Sequence, residues 1–237
     1  RPVLGVVVSS FVAGLATAPI AAAHFNQIAH YGLIANLLSV PLMGVLVMPA
    51  AVLAACLAPL GLAWIGLWLM ELGLRWILWV AHTVAAQDGA LGHVVAPQRW
   101  VLPVLVMGLL VMVLWQGRGR WAGLPVAAAA FVMWAGTERP AVLVADNGAL
   151  MGQMTPQGRV LSKERGAGFV AGIWLENDGG PVAQDVAAAR DGLTRSGRIV
   201  AAQLGPYRIL QTSGKTALAS VQGCNGADVL VTNMVDE

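Results

Sequence analysis

A chain of 237 residues with 14 basic and 12 acidic side chains has a formal net charge of +2, which excludes a strong nucleic-acid footprint built from charge alone. Hydrophobic residues make up 57% and charged residues 11%, with a mean hydropathy of +0.70, which excludes an ordinary soluble domain and marks a membrane protein. The polarity breaks near Thr137: residues 1–136 hold five basic and two acidic residues and residues 137–237 the other nine and ten, so a membrane part precedes a water-soluble part of about 100 residues.

Arg1 has no methionine before it and no processing site follows, so the chain is expected to be a portion of a longer protein. Residues 2–23 form the first expected span, since about 20 apolar residues cross a bilayer. A polar turn over residues 24–32 follows. His24, Asn26, Gln27 and His30 stand there at the edge of bilayer-length apolar runs and require either structural partners or a polar path to line. Residues 33–57 are the second span, with Asn36 just inside it. Pro41 and Pro49 each remove a backbone donor there and favour a bent or broken helix, and Pro19 is a third shape-setting proline.

Residues 60–84 make the third span. It carries Glu71 and Arg75 four apart, on one helix face, where they neutralise each other as a structural bridge. Residues 100–116 and 121–136 are the fourth and fifth, short but with tryptophan near both ends (Trp100 and Trp115, Trp121 and Trp134), as at lipid headgroups. Their joint, residues 117–120, holds Arg118 and Arg120 and marks the cytoplasmic side. Counting through five spans then puts residues 24–32, 85–99 and 137–237 on the outer face. If the third segment lies in the interface instead, the side of everything before it inverts.

The soluble part reads as mixed α/β. Residues 141–145 and 150–154 are expected strands around Asn147-Gly148, the strongest short hairpin signal in the chain, and a turn at residues 155–158 leads to a third strand at 159–163. Residues 168–177, with Phe169, Ile173 and Trp174 at helical spacing, and residues 182–190 are expected helices. Residues 207–211 and 228–231 are later strands.

The run of residues 16–62 resembles the competence domain of ComEC-type proteins. The resemblance rests on Ala16-Thr17-Ala18-Pro19, His24-Phe25, Tyr31-Gly32-Leu33, Ala35-Asn36-Leu37, Val40-Pro41 and Met48-Pro49-Ala50. It implies part of an inner-membrane channel that carries single-stranded DNA into bacteria during natural transformation. Implied partners are single-stranded DNA, the lipid bilayer and other competence proteins, with a homo-oligomer as an open option. Many members of that family add an outer-face domain resembling a metallo-β-lactamase, thought to degrade the strand that is not transported.

The residues themselves leave two readings of the polar turn. Single-stranded nucleic acid is an anion with stackable bases and needs polar walls and aromatic platforms. His24, Phe25, Asn26, Gln27, His30 and Asn36 are accordingly the candidates for lining a path, with Tyr31 beside them, although none carries a fixed positive charge. The alternative is an interfacial cap meeting water, with Asn36 acting as hydrogen-bonded glue between helices.

A metallo-β-lactamase nuclease needs a cluster of histidine and aspartate ligands. All four histidines, His24, His30, His82 and His93, precede the soluble part, so residues 137–237 are expected to be a degenerate or truncated copy without metal or other cofactor. Gly214-Lys215-Thr216 resembles the end of a phosphate loop, but Ile209 stands where a glycine is required. Gly166-Ala167-Gly168 has no complete βαβ unit around it. Cys56 is a small apolar filler and Cys224 an unpaired thiol. The expectation is a polytopic α-helical membrane bundle of about five spans followed by a small α/β soluble domain, working as a non-enzymatic channel segment. A membrane-anchored hydrolase or a structural membrane module are the alternatives.

Overall fold

The computed structural model describes residues 2–221, 224 and 226–234. The chain divides into two compact units, one ending at Gly92 and the other starting at His93, so the composition break at Thr137 falls inside the second unit.

In the first unit, three helices among the described residues are long and apolar enough to cross a membrane: Val7–Phe25, Gly32–Leu60 and Ala63–Ala85, with mean hydropathies of 1.5, 2.3 and 1.3. Helix α1 (Pro2–Phe25) continues through Pro19. Asn26 then takes a left-handed φ of +55° and turns the chain into a short strand, β1 (Gln27–Ala29). Helix α2 (Gly32–Leu42) passes through a π-helical turn, Met43–Val47, into α3 (Met48–Leu57).

Pro41 and Pro49 flank that π turn. Removing the Pro49 N–H deprives the carbonyl four residues earlier of its usual donor, and widening the register keeps the chain helical. The Met48 N–H accordingly donates to the Met43 carbonyl, five residues back. The two prolines therefore shift the hydrogen-bond register of a 29-residue apolar helix and do not break it. Gly61, at φ +74°, closes the helix after a 3-10 turn, and α4 (Ala63–Ala85) returns along it.

Helices α3 and α4 meet at small residues. A Cβ added at Gly66 would stand 2.4 Å from the Ala54 nitrogen and 2.7 Å from the Ala50 carbonyl oxygen, and one at Gly73 would stand 2.6 Å from Val47 Cγ2. Val47, Ala50 and Ala54 are buried by this approach. Where lipid tails are as apolar as leucine, such close backbone packing is what holds helices together. The Trp76 indole N–H adds a donor to the Leu38 carbonyl at 3.3 Å, tying α4 to α2. Strand β2 (Leu91–His93) pairs with β1 in a two-stranded sheet.

The second unit begins with a helical hairpin, α5 (Val101–Leu114) and α6 (Gly123–Ala135), of 14 and 13 residues. At 1.5 Å per residue each is about 20 Å long, against about 30 Å of hydrocarbon. They are shorter than the expected fourth and fifth spans because Trp115 and Gln116 are extended and Gly117–Ala122 forms a 3-10 turn, which takes both ends of the joint out of the helices. The hairpin is again closed by glycine: a Cβ at Gly108 would stand 2.6 Å from the Ala127 nitrogen, and a Cβ at Gly123 2.3 Å from the Gly108 carbonyl.

The α/β region of that unit holds two sheets. Strands β3 (Val142–Val144), β4 (Met151–Thr155) and β5 (Gly158–Leu161) form the expected antiparallel meander, with the Asn147 side chain accepting the Ala149 N–H in its first turn. The second sheet runs β6 (Thr194–Ser196), β7 (Ile199–Leu204), β8 (Tyr207–Thr212), β9 (Val229–Thr232), antiparallel except for the β8–β9 pair. Helix α7 (Gly168–Asn177) has the expected limits, whereas α8 (Gln184–Ala188) is shorter than residues 182–190 because Ala183 is extended. A third helix, α9 (Lys215–Ala219), follows β8. Leu150, Leu161, Ala171, Leu175 and Ala187 form one core cluster. Met151, Val200, Ala202 and Ile209 form another.

A fully buried arginine ties this region together. Arg159 directs Nε to Asp178 Oδ2 at 2.5 Å and Nη2 to Asp178 Oδ1 at 3.1 Å, with further bonds to the Gly152 and Pro140 carbonyls. Arg139 donates to the same carboxylate at 2.9 Å.

Candidate functional site

The polar turn and the helices beside it border an open cavity of about 420 Å³ in the first unit. Its polar lining comes from Ser10 and Thr17 of α1, Gln27 of β1, His30 of the following turn and Asn36 of α2, with Phe11 and Leu33 among the apolar walls. Three of the six candidates read from the sequence, Gln27, His30 and Asn36, thus converge on one space.

His30 is fixed from two sides. Its Nδ1 lies 2.6 Å from the Gly89 carbonyl oxygen, which only accepts, so Nδ1 carries the proton, and its backbone N–H donates to the Ala90 carbonyl at 3.0 Å. A Cβ at Gly92 would stand 2.8 Å from His30 Nε2, so the ring lies directly on that glycine. The histidine thus clasps the turn to residues 89–92.

Asn36 is exposed on the cavity side of α2, and its side chain has no hydrogen-bond partner among the described residues. Thr17 is partly spent: its hydroxyl donates to the Ala13 carbonyl at 2.8 Å within α1.

The other candidates lie elsewhere. His24 and Phe25 close α1, both exposed, their rings edge-on at 5.8 Å between centroids. Asn26 is buried at 8% relative exposure, where its left-handed backbone makes the turn possible. Pro19, Pro41 and Pro49 shape helices outside the cavity lining. Ser10 and Thr17 were not legible as site residues, because hydroxyls in apolar helices usually bond their own backbone.

Glu71 and Arg75 form the expected pair at 2.7 Å, with side chains 54% and 75% exposed. Cys56 and Cys224 are free and exposed. Among the described residues no group of three or more His, Cys, Asp or Glu side chains is gathered as a metal site. The Gly214 N–H is taken by Asn233 Oδ1 at 2.8 Å, so this backbone donor of the Gly-Lys-Thr run already has a protein partner.

Among known proteins, residues 2–119 match the family model Competence, described as competence protein. The match extends well beyond residues 16–62, reaching through α5 into the Gly117–Ala122 turn. No curated protein and no solved structure matches the chain.

Proposed function

We propose, on the premise that this chain belongs to the Competence protein family through residues 2–119, that its helices form part of an inner-membrane channel for uptake of single-stranded DNA in natural transformation. The observation that supports this reading is the convergence of Ser10, Thr17, Gln27, His30 and Asn36 on one cavity between apolar helices. Amides, hydroxyls and an imidazole offer donors and acceptors to phosphate oxygens and base edges without a fixed cation. A conducting site must bind well enough to admit its cargo and weakly enough to release it, and neutral hydrogen-bonding walls meet both demands.

In this reading the α5–α6 hairpin supplies the fourth and fifth spans. Arg118 and Arg120 face the cytoplasm, and residues 137–237 stand on the outer face as a degenerate or truncated metallo-β-lactamase-like domain that positions the strand without cutting it. Movement is driven by other competence proteins, and a homo-oligomer is compatible with it.

Asn36→Leu tests the proposal. With normal protein levels in the membrane, uptake of labelled DNA is expected to fall roughly tenfold, the equivalent of about 1.4 kcal/mol and of one good hydrogen-bonding contact. The apolar change Val45→Ile, outside the cavity lining, should leave uptake unaltered. Unchanged uptake in Asn36→Leu would rule out a path along this cavity.

A further inference from the structure

The first turn of α2 separates two concavities. On one side lies the polar cavity, reached by Asn36. On the other is an open groove of about 410 Å³ between α2 and α4, lined by Tyr31, Leu38, Trp79, Val80, Thr83 and Gln87 among others. That volume falls in the roughly 300–1,000 Å³ range of small-molecule sites. We propose that this groove receives a nucleobase of the transported strand, stacked on the aromatic faces of Tyr31 and Trp79; the assignment rests on the channel reading given above.

The walls match a base. Tyr31 and Trp79 supply the two aromatic surfaces, 37% and 57% exposed. Gln87 Nε2 is engaged by the Thr83 carbonyl at 3.1 Å, which leaves the Gln87 amide oxygen and the Thr83 hydroxyl to meet base edges. Trp76 braces the platform: its N–H is held by the Leu38 carbonyl, and its ring sits 5.2 Å from that of Trp79 at 40°. Stacking tolerates every base, as a route for arbitrary sequence requires.

The same helix face argues against lipid as the occupant. Arg75 lies one turn from Trp79, and its pair with Glu71 stands open near the middle of a 23-residue apolar helix. Charged side chains within a span face water or protein, not acyl chains.

Photocrosslinking of the full protein in lipid nanodiscs tests this. A single-stranded oligothymidine carrying 5-iodouracil is irradiated on the protein and the adducts are mapped by mass spectrometry. Adducts are expected on Tyr31 or Trp79, falling at least about fivefold in Tyr31→Leu/Trp79→Leu and little in Trp79→Phe, as loss and retention of stacking dictate. The assignment is overturned if the adducts map outside the groove, if the double variant crosslinks as the wild type does, or if added phospholipid displaces the groove adduct while oligonucleotide stays bound. Should the double variant not accumulate, the wild-type map and Trp79→Phe decide. Loss of uptake in Asn36→Leu without adducts at the groove would sink this inference alone and leave the channel reading standing.

Discussion

Asp178→Ala is expected to destabilise the carboxyl-terminal α/β region by about 3–5 kcal/mol, the range for removing one partner of a buried ion pair. Arg159 has no exposed surface, and four of its contacts are fixed: two to the Asp178 carboxylate and two to the Gly152 and Pro140 carbonyls. Arginine does not lose its proton in a protein, so without Asp178 a full positive charge remains in the interior with only carbonyl dipoles around it. Arg139, whose side chain is 20% exposed, would lose the same carboxylate but can turn to water. Urea unfolding of the full protein in detergent, followed by proteolysis within residues 137–237, measures the effect. Asp178→Asn keeps one acceptor oxygen and should lie between wild type and alanine. A change below about 1 kcal/mol for Asp178→Ala would show that Arg159 is solvated or rearranged, against the burial described.

That interaction shows where reading the sequence stops. Helix α7 was legible to the residue because Phe169, Ile173 and Trp174 carry the 3.6 period. The β3–β4 turn was legible because Asn147-Gly148 states its own geometry, with Gly148 at φ +65°. Nothing local marks Arg159 as an interior residue, since its partner arrives only when the end of α7 comes back to the meander. Strand β7 was missed for a different reason: Ile199–Leu204 contains two alanines, which have weak strand preference, and its pairing with β8 is what orders it. Strand β6 rests on that same pairing chain.

The membrane part divides the same way. Apolar length predicted the first three spans, but the ends of α5 and α6 depend on how Trp115 and Gln116 leave the helix, which composition does not encode. In the candidate site, Gln27, His30 and Asn36 were conspicuous as amides and an imidazole in apolar surroundings. The Gly89 carbonyl that holds His30, and the meeting of Tyr31 and Trp79 in one groove, belong to the tertiary fold. The sequence signal for the groove is Val80, Thr83, Val84 and Gln87 at positions i, i+3, i+4 and i+7, one helix face.

Gly66→Leu should be the most damaging single change in the first unit, and a graded glycine series shows why. Added at Gly66, a Cβ meets backbone, the Ala54 nitrogen at 2.4 Å and the Ala50 carbonyl at 2.7 Å, and backbone cannot rotate out of the way. The helices must separate, uncovering Val47, Ala50 and Ala54. Overpacking of this kind typically costs 1–3 kcal/mol, occasionally more, and with the close contact between helices lost as well the expected penalty is at or above about 3 kcal/mol. Gly73→Leu meets the Val47 Cγ2 side chain at 2.6 Å, which can change rotamer, so a smaller loss of about 1–2 kcal/mol is expected there. At Gly14 and Gly44 nothing lies within 4 Å of the added atom, and leucine should be accepted with little change. Thermal unfolding of the four variants in one detergent orders them directly. Equal melting temperatures for Gly66→Leu and Gly14→Leu would mean that α3 and α4 do not touch through backbone.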